Sequence, residues 1–123
     1  MTVLTAPDYA THDLGGTRFT SLATPSRGSA ETSVWTVEID AGVPATPHSL
    51  TREEVFVVLD GTAAVVVDGV EAVARSGDAI VVPPGVDFRI ANGGNSVLRL
   101  LCCLPVGGQA VTTEGRFTPP WAQ

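Results

Sequence analysis

Two side chains in the stretch PHSLTREEVFVVLDG, residues 47–61, have the types and spacing to move a proton or to hold a metal ion. His48 stands just before a strand-like run and Glu54 opens it. An imidazole changes charge near neutral pH, and its two nitrogens can act as base and donor. A carboxyl group among apolar residues is held protonated unless a cation pairs with it. Within hydrogen-bond reach, the two would form a pair able to pass a proton in an isomerisation, a dehydration or a cyclisation. Both are also metal ligands, but a catalytic metal site usually takes three protein ligands or more. Leu50 stands two residues after His48, where a second histidine would build such a site.

The segments that must position these groups read as strands. SVWTVEI (33–39) alternates, with Trp35, Val37 and Ile39 on one face and Thr36 and Glu38 on the other. The run 55–74 holds Asp-Gly pairs at 60–61 and 68–69, each flanked by β-formers, and each is predicted to be a tight hairpin turn. DAIVVPPG (78–85) is a strand stopped by Pro83 and Pro84, and VDFRIAN (86–92) and SVLRLLCCL (96–104) are two more. No segment carries a helical period with caps. Thirteen glycines and nine prolines between short strands fit a single all-β domain, a sandwich or barrel. Its expected parts are an N-terminal arm (1–16), the barrel (17–104) and a C-terminal tail (105–123).

Composition removes several classes. A net charge of −6 argues against a nucleic-acid partner, which needs clustered positive charge. No apolar run approaches the roughly 18–20 residues that cross a bilayer, and MTVLTAPDYATHDLGG lacks the basic-then-apolar order of a secretory signal. Cys102 and Cys103 are strand neighbours facing opposite sides, poor partners for a disulfide, so a reducing cytoplasm is expected. All seven basic residues are arginine, the mark of a GC-rich bacterial genome. VFVVL, AIVV and LLCCL are apolar at consecutive positions, so both strand faces should be covered, most simply in a symmetric homodimer.

Two motifs give the chain a family resemblance. The first runs Gly42, VPATP, His48, Ser49, Leu50, TRE, Glu54, VFVVLD, Gly61; the second runs Gly77, DAIVV, Pro83, Pro84, Gly85, VD, Phe88, RIA, Asn92. In residue types and ungapped spacing they resemble the two motifs of a small single-domain cupin, over residues 33–104. The resemblance implies a jelly-roll β-barrel. It also implies that the positions of His48, Leu50, Glu54 and Phe88, which in metal-binding cupins hold one metal ion, point into the barrel. Leu50 and Phe88 cannot ligate, so a complete site of the family type is absent. A divalent metal such as Fe, Mn, Ni or Zn would need a further ligand, with His12 the first candidate and Asp13, Cys102 or Cys103 behind it.

Strand parity extends this lining. Phe56 and Val58 share a face with Glu54, and Ile90 shares one with Phe88; with Leu50 and Trp35 they give an apolar cup around His48 and Glu54. Arg99, in VLRLLCCL, would hold an anionic group if it faces inward, and Arg18 is a further candidate from the first strand. The tail FTPPWAQ is expected to pack on the barrel or the partner, with a lid over the cup as the sharper reading. The leading functional expectation is a small-molecule enzyme or enzyme-like protein with a degraded or non-standard metal site. The alternatives are a non-catalytic metabolite-binding protein, a metal-dependent dioxygenase with an unusual ligand set, and a structural dimer whose barrel is plugged.

Overall fold

The computed structural model describes residues 2–123. Its strands, in chain order, are β1 (His12–Asp13), β2 (Thr17–Ala23), β3 (Thr32–Ile39), β4 (Ser49–Leu50), β5 (Glu54–Asp60) and β6 (Thr62–Val67), then β7 (Val70–Arg75), β8 (Ala79–Val82), β9 (Phe88–Asn92), β10 (Leu98–Pro105), β11 (Ala110–Thr112) and β12 (Gly115–Phe117). Single 3-10 turns at Pro25–Arg27 and Pro120–Ala122 complete the described elements. β-Branched residues and prolines fill this chain, and both favour short strands and tight connections over helices.

The strands make two walls. One is a six-stranded sheet in the order β1-β2-β3-β10-β5-β8. The other consists of β7-β6-β9 and β12-β11-β4, joined by a bridge in which His48 and Phe88 exchange backbone hydrogen bonds of 3.1 and 2.9 Å. The result is the jelly-roll barrel, with all pairings between the named strands antiparallel. The terminal segments expected as arms contribute strands to both walls: β1 extends the large sheet beside β2, and β11 pairs with β4.

The core lies between the walls, and burial alternates along β5 and β10. Glu54, Phe56 and Val58 of β5 face inward, as do Leu98, Leu100, Cys102 and Leu104 of β10 and Trp35 and Val37 of β3. The alternate residues Val55, Val57, Leu101 and Cys103 form a half-buried band on the outer face of the large sheet, continued by the exposed Val81 of β8. Asn92, which closes the second motif, is structural: its amide donates to the carbonyls of Ile39 (2.9 Å) and Ser96 (2.7 Å), and its side-chain oxygen accepts from Gly94 N–H.

One of the two expected hairpins is a different device. Asp68-Gly69 does close the β6–β7 hairpin, with φ of 51° and 75°, the left-handed pair a two-residue turn demands. Asp60-Gly61 instead carries the chain across from the large sheet to the other wall. At this corner a Cβ on Gly61 would sit 2.8 Å from the Val97 carbonyl oxygen and 3.0 Å from Leu98 Cα, with φ at +87°. A Cβ on Gly69 would meet nothing within 4 Å. We therefore expect Gly61→Ala to cost about 3 kcal/mol and Gly69→Ala about 1 kcal/mol, read as urea midpoints at unchanged m-value. Equal losses would mean that crowding against β10 is not what requires glycine at the corner.

Candidate functional site

The inner faces of the two walls enclose a cavity of about 480 Å³. Its apolar wall comes from Trp35 and Val37 of β3, Leu50 of β4, Phe56 of β5, Phe88 and Ile90 of β9, and Leu100 of β10. Leu50 and Phe88 are almost fully buried, yet they bound open space and do not fill it. The barrel is thus not plugged. A wider, more open depression on the outer face of β6, β7 and β9 is lined by small residues such as Ala64, Ala72 and Ala91, with Glu71 and Arg89 as its charged groups.

Glu54 and His48 are the ionisable carboxyl and imidazole groups of the cavity wall. Glu54 is 4% exposed, and among the described residues its carboxyl group has no hydrogen-bond or ion-pair partner. Burial alone raises its pKa from 4.5 to about 8, so at neutral pH it is mainly a neutral acid and a hydrogen-bond donor. His48 is half-buried, tilted against Phe88 with ring centroids 4.4 Å apart. Its Nδ1 lies 2.9 Å from the Thr46 carbonyl oxygen, which can only accept. Nδ1 therefore carries the proton, and in the neutral ring Nε2 keeps its lone pair. The two groups make no hydrogen bond to each other, unlike the direct pair their proximity in sequence allowed. Cys102 also lines the cavity, where burial and then the Glu54 charge raise its thiol pKa well above the ordinary value. It is an inert thiol at neutral pH.

Other expected residues lie elsewhere. Val58 has the inward parity but is 1% exposed in solid packing and does not reach the cavity. Arg99 is on the outer face, opposite Glu38 and Asp60, because its neighbours Leu98 and Leu100 take the inward positions. Arg18 is also outside the cavity, in a bidentate pair with Asp40 at 2.9 and 3.2 Å. His12 does not line the cavity: its Nδ1 meets Thr11 Oγ1 at 3.0 Å and its ring meets Trp121 edge-on. Asp13 is spent on the Gly15 N–H, and Cys103 faces outward.

The tail lies at the mouth, the sharper of its expected places, and meets Phe19, which sequence reasoning did not include. Phe19 of β2 and Trp121 of the tail stack face to face, with centroids 3.6 Å apart and planes 8° from parallel, and both line the cavity with Phe117 and Pro119. The tail is held by side chains of the large sheet. Ser21 Oγ donates to the Trp121 carbonyl and Ser33 Oγ to the Ala122 carbonyl, each at 2.7 Å. The signal was available in FTPPWAQ, but nothing local said which surface its aromatics would meet.

The family-type metal site does not fit these residues. Of its four positions, Leu50 and Phe88 have no donor atom, and Glu54 is a neutral acid near pH 7. No group of three histidine, cysteine, aspartate or glutamate side chains close enough to hold an ion occurs among the described residues. His12 does not supply the missing ligand.

The buried acid has a consequence for stability. Unfolded, Glu54 ionises near 4.5; folded, near 8. Between these values the folded state keeps a proton that the unfolded chain has released, so stability falls as pH rises and levels off above about 8. The slope contributed is about 1.4 kcal/mol per pH unit at most. We expect urea unfolding at a series of pH values from 5 to 9 to show this decline, and Glu54→Gln to flatten it. An identical slope in the variant would place the titrating group elsewhere.

Comparison with known proteins agrees with this architecture. The uncharacterised protein MJ1618 of Methanocaldococcus jannaschii is 36% identical over 53 residues, a match spanning 43% of this chain and 42% of that protein. Among solved structures, an RmlC-like cupin from Shewanella frigidimarina is 24% identical with a TM-score of 0.67, over 83% of each chain. KdgF from Halomonas sp. is 20% identical with a TM-score of 0.72, over 85% of this chain and 94% of its own. At these identities the structural likeness speaks for the fold alone. Among the described elements, no helix is long and apolar enough to cross a membrane. The profile of the cupin domain matches residues 34–104, more than half of the sequence, and the chain belongs to the cupin family.

Proposed function

We propose that this cupin binds a small molecule in its apolar cavity and transfers protons on it without a metal, with Glu54 as acid and His48 as base. The observation that carries the reading is the unpartnered, buried Glu54 carboxyl facing a cavity that also holds a free imidazole lone pair. A buried carboxyl group held as an acid, and an imidazole oriented through its Nδ1–H, are the components of acid–base catalysis. On a carbonyl compound the step is an enolisation. His48 Nε2 takes a proton from the carbon beside the carbonyl while Glu54 gives its proton to the carbonyl oxygen. A carbon–carbon double bond forms, the carbonyl π bond becomes the enol O–H, and the protein is left as imidazolium and carboxylate. Reversal returns the proton from His48 to carbon.

The direct test is hydrogen exchange in D2O, using phenylacetone as probe and following deuterium at the carbons beside its carbonyl by NMR. We expect the wild-type protein to accelerate exchange and His48→Ala and Glu54→Gln each to lose it by on the order of 100-fold, with circular dichroism unchanged. Full activity in either variant would remove that residue from the mechanism. Binding without exchange would leave the non-catalytic metabolite-binding reading in its place. Elemental analysis of untagged protein, incubated with iron, manganese, nickel and zinc, should find metal far below one equivalent per chain. One equivalent, lost in His48→Ala, would bring the dioxygenase-like reading forward.

We also propose that the large sheet's outer face is covered by a second copy of the chain. Leu101 lies between Thr36 and Val57, and Cys103 between Val34 and Val55, giving a half-buried apolar band. Arg99, Glu38, Arg18 and Asp60 border it with both signs of charge, so a two-fold axis can set each sign against its opposite. Sedimentation equilibrium should report a dimer for the wild type and a folded monomer for Leu101→Arg. A dimer unaffected by the substitution would place the interface on another face.

A further inference from the structure

The cavity wall has an unusual economy of aromatic residues. The chain has four phenylalanines and two tryptophans, and all six, Phe19, Trp35, Phe56, Phe88, Phe117 and Trp121, line this one cavity. They come from the first strands of the large sheet, from β5, from β9 and from the C-terminal tail, so no single stretch of sequence accounts for the gathering. In a solid core such rings would fill each other's gaps. Here they border about 480 Å³ of open space, a volume suited to a metabolite.

The charges of the wall are as selective as its rings. All seven cationic side chains of the protein are arginines, and none lines the cavity. An anionic ligand would give up its hydration for a mainly apolar wall that offers it no arginine. An ammonium ligand would present three N–H donors. The Thr46 carbonyl is already engaged by His48 Nδ1–H, and strand carbonyls are spent in the ladders, which leaves Glu54, His48 Nε2 and the hydroxyls of Thr17 and Thr112 among the side-chain acceptors, none of them a resident carboxylate near neutral pH. An uncharged ligand with an acceptor atom is satisfied directly by the Glu54 acid proton. We infer that the ligand of this cavity is an uncharged, ring-bearing molecule whose hydrogen-bond acceptor, such as a carbonyl oxygen, is seated at the buried Glu54 carboxyl. This assignment rests on the cavity being the working site proposed above.

Three probes of one shape separate the classes: phenylacetone (neutral), phenylacetate (anionic) and benzylammonium (cationic). Calorimetric titration of the full chain at pH 6.5 should show phenylacetone binding at least about tenfold more tightly than either ion. Its affinity should fall by about tenfold or more at pH 9.5, where Glu54 has lost the proton it donates. Glu54→Gln keeps a neutral donor and should bind phenylacetone with the pH dependence removed, whereas Glu54→Leu should lose about tenfold in affinity at pH 6.5. Tighter binding of phenylacetate or benzylammonium would overturn the inference, as would failure of all three to bind. Selective binding of phenylacetone with no deuterium exchange would sustain the ligand class while refuting the catalytic reading, so the two fail separately.

Discussion

Two backbone hydrogen bonds between His48 and Phe88 hold the arrangement together. They are the bridge through which β4, with β11 and β12 behind it, joins β9, with β6 and β7 behind it, in one wall. Together with the hydrogen bond from Gly85 N–H to the Leu50 carbonyl (2.8 Å), they keep the smaller wall from parting into two three-stranded patches with unpaired edges, a costly state for buried peptide groups. The same bridge places the His48 imidazole on the Phe88 ring and turns both into the cavity. Closure of the barrel and construction of the site are therefore one event. His48 is further fixed by the Thr46 carbonyl, which selects the tautomer as well as the ring's direction.

With that wall closed, Leu50 and Phe88 set the apolar surroundings of Glu54. Each stands where a ligand would stand in a metal-binding relative, and each replaces a donor with apolar surface. The effect on Glu54 is indirect but large. A metal or a cation would stabilise its carboxylate; apolar neighbours stabilise its neutral form, and burial supplies the whole of the pKa rise. In the function proposed above, Glu54 thereby serves as a proton donor, where a metal-binding relative would use the carboxylate as a ligand. A buried carboxyl group without a partner lowers the stability of a resting protein, which makes its open access to a ligand cavity the informative part of its placement.

Much of this was legible in the sequence where the constraint is local. Alternation in SVWTVEI and the Asp68-Gly69 turn map onto β3 and the β6–β7 hairpin, and the motif spacings identified the jelly roll. Asp60-Gly61 was read as a second hairpin because a left-handed glycine is required in a hairpin turn and in a sheet-crossing corner alike; the difference lies in the approach of Val97, thirty-six residues away. Arg99 shows the same limit. In a strand apolar at nearly every position, periodicity does not reveal which residues face inward, and only pairing with β3 and β5 fixes it. Val58 had the correct parity, but parity says nothing of depth along the barrel.

The tail illustrates how non-local the mouth of the site is. Trp121 meets Phe19 across about a hundred positions of sequence, and the link is made by serine hydroxyls of β2 and β3 reaching tail carbonyls. Ser21 and Ser33 are small polar residues on inward-facing strand positions, a pattern that looks like a defect in an apolar stripe when read along the strand alone. Their hydroxyls are satisfied by the peptide groups of Trp121 and Ala122, so each interruption of the stripe is a docking point for the next segment of chain. The indole is thereby held by backbone anchors while its ring contributes to the cavity wall through stacking. The rim is thus held through its backbone carbonyls, and its side chains take no part in the two hydrogen bonds that keep the tail on the barrel.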